Sequence, residues 1–173
     1  MRAATVFGLL ALAIAIGALV VGRLILLPGL GQHPELIDAN FAKALAQPLH
    51  LRQAEVILAA HLVVAALARH WLGTKWGTTL GLLLVGCSAA QRFLVLPALY
   101  AAWSRADLVA GRPVDYILQA QRYDFFELLL VAAMVTLQLV MLGVHVFTTV
   151  RAAPAETVEN RPTPVPATAA AAA

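Results

Sequence analysis

The residues of this chain that could do chemistry sit where charge is expensive. Arg52, Glu55, His61, Gln91, Arg92, Asp124, Glu127, Gln138 and His145 all lie inside, or at the head of, long apolar runs. Ionisable groups at membrane depth are costly, so they face a bundle interior or a wet cavity and find partners there. Two chemistries suit such a set. A carboxylate held by a guanidinium forms an ion pair that fixes how neighbouring helices register. Carboxylates, amides and imidazoles strung along one helix can instead carry protons or ions.

Spacing indicates which of these groups share a face. Glu127, Val131, Met134, Gln138, Met141 and His145 follow alternating steps of four and three residues. At 100° per residue, Glu127 and His145 point the same way and Gln138 lies within about 20° of them. His50 and His61 share one face of their run, and Arg52 and Glu55 share another. Ser88 and Arg92 lie one turn apart, as do Cys87 and Gln91.

Four apolar runs must position these groups. They cover residues 3–27, 49–72, 77–103 and 123–150, and each is long enough to cross a hydrocarbon core of about 30 Å at about 1.5 Å per residue. The first exceeds a signal-peptide core of roughly 7–15 residues and reads as a span. Pro28, Gly29 and Gly31 end it, and Pro48 marks the start of the second span, where a missing backbone donor is harmless. Between them, Asp38 to Leu45 suits a short interfacial helix capped by Asp38 or Asn40. Trp71 and Trp76 flank the turn between spans two and three, as interfacial aromatics do. Pro97 interrupts span three. Residues 104–122 carry Arg105, Asp107, Arg112 and Asp115 and read as an aqueous loop. Residues 151–173 form a Pro/Ala-rich tail whose composition predicts disorder.

Composition agrees with that organisation. The chain is 61% hydrophobic and only 12% charged over 173 residues, with a mean hydropathy of +0.82; too few charges remain to solvate a globular surface. Its net charge of +3 comes from scattered Lys and Arg, so nucleic acid is not an expected partner. The single cysteine, Cys87, excludes an intrachain disulfide framework or a Cys-based zinc site. The expected fold is an all-α integral membrane protein, a four-span transmembrane helix bundle.

Alternating spans allow depths to be compared from the side bearing the 28–48 and 104–122 connections, here called the loop face. Glu55 lies about 6–9 Å in, Arg92 about 15 Å and Glu127 about 5 Å. Arg92 is therefore expected to reach Glu55 or Glu127, with Gln91 joining them. Haem ligation needs two axial ligands at one height. His61 and His145 lie at about 15 and 30 Å, a mismatch, while His70 and His145 match only at the interface. His33 and His50 read as ordinary loop or interface residues. There is no nucleophile motif, phosphate loop or metal-ligand cluster, so neither an enzyme nor a cofactor is expected.

Several stretches resemble the transmembrane protein 205-like domain family, whose domain is of unknown function. The stretches are LILLPGL, FAKALAQPL, AAQRFLVLPALYAAW and YDFFELL, spread in order over roughly residues 22–142. Gln91, Arg92, Phe93, Pro97 and Trp103 are similar to the third-helix pattern of that family. Leu-Pro-Gly stands where the family's first loop usually carries an aromatic-basic pair. The resemblance implies a four-span bundle and supplies no catalytic residues.

The expected partners are the lipid bilayer, a second copy of the chain or other membrane proteins. The expected location is the bacterial inner membrane. Basic residues divide almost evenly between the two faces, five against six, and both termini are assigned to the cytoplasm. The role expected is non-enzymatic: a polar network that is structural or supports proton or ion movement, or an accessory subunit of a larger membrane complex.

Overall fold

The computed structural model describes residues 2–22 and 38–152. The tail from residue 153 onward, the end of the expected first span and most of the first connection lie outside the described residues. The rest is helical, without strands: α1 Arg2–Val20, α2 Ala39–Leu72, α3 Lys75–Ala90, a π-helical turn Gln91–Val95, α4 Leu96–Ser104 and α5 Val114–Ala152. Taking Lys75–Ser104 as one rod, four helices are long and apolar enough to cross a membrane. Large apolar side chains point outward on all of them, including Phe7, Leu62, Leu82, Leu94 and Phe147.

Two helices begin earlier than the sequence predicts. The expected interfacial helix from Asp38 and the second span from Leu49 form one rod, α2, and Pro48 lies inside it rather than opening it. Asp38 starts that rod by accepting from the Phe41 amide at 2.9 Å, satisfying one orphan donor of the first turn. Pro48 then removes only the single bond to the carbonyl one turn back. Likewise the expected loop 104–122 is shorter, because α5 starts at Val114 directly after Pro113. Asp115 in its first turn complements the helix dipole. Ala120 then packs against α4 through Leu96, Leu99 and Tyr100, giving this early part of α5 a buried face.

What remains of the loop is clasped to the start of α2. Asp107 and Arg112 exchange backbone bonds of 2.7 and 3.1 Å. Asn40 donates to Asp107 Oδ1 at 2.7 Å and accepts from the Leu108 amide at 2.9 Å. Lys43 Nζ donates to the Trp103 and Ala106 carbonyls at 2.6 and 3.0 Å, placing a cation on the carbonyls at the end of α4. The Asn40 amide and the Val109 and Ala110 backbone N–H groups hold the Asp107 carboxyl below the usual carboxylate range.

At the opposite end, Gly73 takes φ 65° and ends α2 in a left-handed cap. Helix α3 then folds back closely: a Cβ at Gly81 would lie 2.7 Å from Ala65 Cα. The Gly77-x-x-x-Gly81 pair thus has the close-packing role its small size suggests. Helix α1 packs along α2, and α5 packs against α3 and α4.

Eight of the ten buried residues of α2 (Ala46, His50, Ala54, Ile57, His61, Val64, Ala68 and Trp71) advance by threes and fours, with Ala60 and Leu72 beside them, one stripe of an amphipathic helix. On α5, Ala120, Glu127, Met134 and Met141 repeat every seven residues, and all are fully buried.

Candidate functional site

The polar interior is built where the stripes of α2 and α5 meet. Both helices run from the loop face, so they are parallel, and their polar residues recur at the same interval. His50 and His61 are eleven residues apart on α2, as are Glu127 and Gln138 on α5. Eleven residues are nearly three whole turns, about 16 Å of rise. Matching intervals on parallel helices give two polar layers, one at each level.

The layer nearer the loop face centres on the buried Glu127 carboxyl. Gln91 Nε2 donates to Glu127 Oε1 at 2.8 Å, and His50 Nε2 lies 3.4 Å from the same oxygen. On its other side, His50 Nδ1 lies 3.0 Å from the Tyr100 hydroxyl. His50 thus stands between the Tyr100 hydroxyl and the carboxylate, one ring nitrogen towards each, and the tautomer sets which way the hydrogen bond with Tyr100 runs. The chain Tyr100–His50–Glu127–Gln91 therefore crosses three rods. A carboxylate away from water needs such donors.

The deeper layer is the pair His61 and Gln138, both fully buried. Gln138 Nε2 lies 2.8 Å from His61 Nε2; with the amide donating, the imidazole carries its proton on Nδ1. Between the layers lie Ile57, Leu84 and Met134, which are fully buried in one apolar cluster. Each stands seven residues from the polar group of its own rod (His50, Gln91 and Glu127 respectively), about 10 Å further in. A third level holds His145, partly buried, its ring 5.1 Å from that of the buried Trp71.

Arg92 belongs elsewhere. Of the two carboxylates within its expected reach, Arg92 takes Glu55. Arg92 Nη2 donates to Glu55 Oε1 at 2.8 Å, Arg52 Nη1 donates to Glu55 Oε2 at 2.7 Å, and Glu127 is served by Gln91 and His50. Glu55 is 38% exposed and Arg52 82%, so this triad lies on the flank of the bundle and not in its core. Asp124 is half-buried on α5 and precedes Glu127 by three residues.

The division is made by the π-helical turn. Pro97 has no N–H for the Phe93 carbonyl and its ring crowds that carbonyl. The chain widens just before it, and the Leu96 N–H bonds to the Gln91 carbonyl five residues back. One widened turn changes the direction of adjacent side chains. Gln91 turns inward and is 2% exposed, while Arg92 turns sideways to α2.

Tyr100 joins from α4, and His50, expected from the sequence to be an ordinary loop or interface residue, completes the site. The signal for His50 was present: Ala46, His50, Ala54, Ile57 and His61 already carry the period of a buried stripe. The described histidines are committed within the bundle or exposed, as His70 is. Among the described residues no group of three or more His, Cys, Asp or Glu is placed to hold a metal ion.

No family model, curated protein or solved structure matches the chain.

Proposed function

We propose that this is a non-enzymatic multi-pass protein of the bacterial inner membrane, resembling the transmembrane protein 205-like domain, whose polar interior is architectural. The observation that carries this reading is the pair of polar layers at one interval on two parallel helices, separated by the buried apolar residues Ile57, Leu84 and Met134. A slip of α2 against α5 by one turn would part His61 from Gln138 and His50 from Glu127, breaking the contact between these helices in both layers at once. A buried polar group costs about 1–3 kcal/mol when it loses its partner. The layers thus specify one register, a role attested for buried polar groups in helical assemblies.

The same geometry opposes a conduit. Beyond Glu127 the buried Ser88 hydroxyl is bonded to the Leu84 and Val85 carbonyls of its own helix, and the layer of Ile57, Leu84 and Met134 separates it from His61 and Gln138. Proteoliposomes carrying the full chain are expected to show no proton or cation flux above empty liposomes, for wild type and Glu127→Gln alike. Flux that is present in wild type and absent in Glu127→Gln would make the layers a pathway and overturn this reading.

A further inference from the structure

We infer that the groove beside Arg92 binds the phosphodiester headgroup of an anionic phospholipid at the loop-face edge of the membrane. The groove measures about 350 Å³ and lies between α2 and α4, lined by Gln47, Leu51, Arg92, Tyr100, Ala101 and Ser104 among others.

Its level follows from the charges. Between Glu55 and Arg69 on α2, and between Lys75 and Arg92 on the next rod, no Asp, Glu, Lys or Arg occurs. Those stretches span about 21 and 26 Å, slightly less than a hydrocarbon core of about 30 Å. By contrast α2 as a whole has 34 residues and α5 has 39, or about 51 and 58 Å, so both project beyond that core. The Arg52–Glu55–Arg92 triad therefore stands about 4–9 Å inside the loop-face edge of that core, within reach of a headgroup for long side chains, and the groove opens on its outer side.

The chemistry fits a lipid phosphate. Two guanidiniums share one carboxylate, which leaves one excess positive charge. Arg92 lines the groove while its Nη2 holds Glu55, and a guanidinium carries more N–H donors than one carboxylate oxygen takes. The Ser104 hydroxyl and Gln47 amide add polar groups towards the loop face, where a headgroup continues into water. Phe93 and Leu94, next to Arg92, are 61% and 69% exposed and provide an apolar flank for acyl chains. Guanidinium recognition of phosphate beside apolar surface identifies a lipid rather than a soluble anion.

The test uses the full chain purified in mild detergent, delipidated, and titrated with phosphatidylglycerol, phosphatidylcholine or inorganic phosphate. Native mass spectrometry then counts retained lipid. Wild type is expected to retain phosphatidylglycerol about fivefold over phosphatidylcholine, the factor one basic side chain contributes near an anionic lipid. Arg92→Gln and Ala101→Leu should both bring that ratio to about one. The first removes the donor, and the second fills the groove while leaving the ion pair intact, so poor folding of either variant does not decide the matter. Arg105→Gln, on the loop, should keep the preference. Wild-type selectivity in both groove variants would overturn the site, and so would displacement of phosphatidylglycerol by inorganic phosphate. The inference rests on the membrane reading above: release of the chain from membranes by alkaline carbonate would overturn that reading, whereas carbonate resistance with no lipid preference would overturn the site alone.

Discussion

The deeper polar layer offers the sharpest test of register. His61 and Gln138 are both fully buried, lie on different helices and meet at 2.8 Å. An interhelical hydrogen bond inside a membrane bundle contributes about 0.6 kcal/mol on average and up to about 1.7. Removing one partner also strands the other, with a desolvation cost of about 1–3 kcal/mol. His61→Leu and Gln138→Leu are therefore each expected to destabilise by about 1–3 kcal/mol. The double variant leaves neither group stranded and places apolar side chains against the neighbouring layer. It should cost less than the sum of the singles by at least about 1 kcal/mol. Reversible unfolding in mixed micelles measures this, with the buried Trp71 as fluorescence reporter. Additivity of the two substitutions within about 0.3 kcal/mol would mean that the side chains do not meet, and the shared register of α2 and α5 would fall with them.

Other substitutions separate core from flank. Arg92→Leu, which would cost about 3–5 kcal/mol if it broke a dry buried pair, should cost less than about 1 kcal/mol, because Glu55 is well exposed and keeps Arg52; the same unfolding assay reads it. Glu127→Ala should lower thermal stability more than Glu127→Gln, since the amide can still accept from Gln91; equal losses would refute the donor arrangement. Gly81→Val should cost about 1–3 kcal/mol by overpacking, as its Cβ meets the α2 backbone at Ala65, and a wild-type melting temperature would show that α2 and α3 are not in close contact. For Asp107, whose carboxyl is held below its ordinary range chiefly by Asn40, the bonds stabilise the clasp at pH values above that range. They are lost as pH falls through the depressed value. Hydrogen exchange at the Val109 and Ala110 amides should therefore speed up, relative to intrinsic rates, only in acid below the ordinary carboxylate range.

Much of the helical framework could be read from residue types. Apolar runs of sufficient length, separated by Gly, Pro and charge, select helices that can cross a membrane, because backbone groups in hydrocarbon must be satisfied within each segment. The stripe from Glu127 through Gln138 to His145 was legible for the same reason, since a helix turns by a fixed angle per residue. Helix starts were less legible. Pro48 resembles a helix opener, yet the Asp38 cap and the clasp through Asn40 and Lys43 extend α2 beyond it.

Partnership was decided by tertiary structure alone. Counting residues along each span places Arg92 within reach of two carboxylates, but the count assumes a regular helix, and the π-helical turn Gln91–Val95 departs from it. The turn that Pro97 widens sends Gln91 to Glu127 and Arg92 to Glu55. The period of Ala46, His50, Ala54, Ile57 and His61 marks His50 as a stripe residue, but only packing gives it Tyr100 and Glu127 as neighbours. The sequence alone determined that this chain buries polar groups among apolar helices, because composition and period are local properties. Only the packing of parallel α2 and α5 decided that those groups form separate layers with buried apolar residues between them, since which atoms meet across helices depends on register.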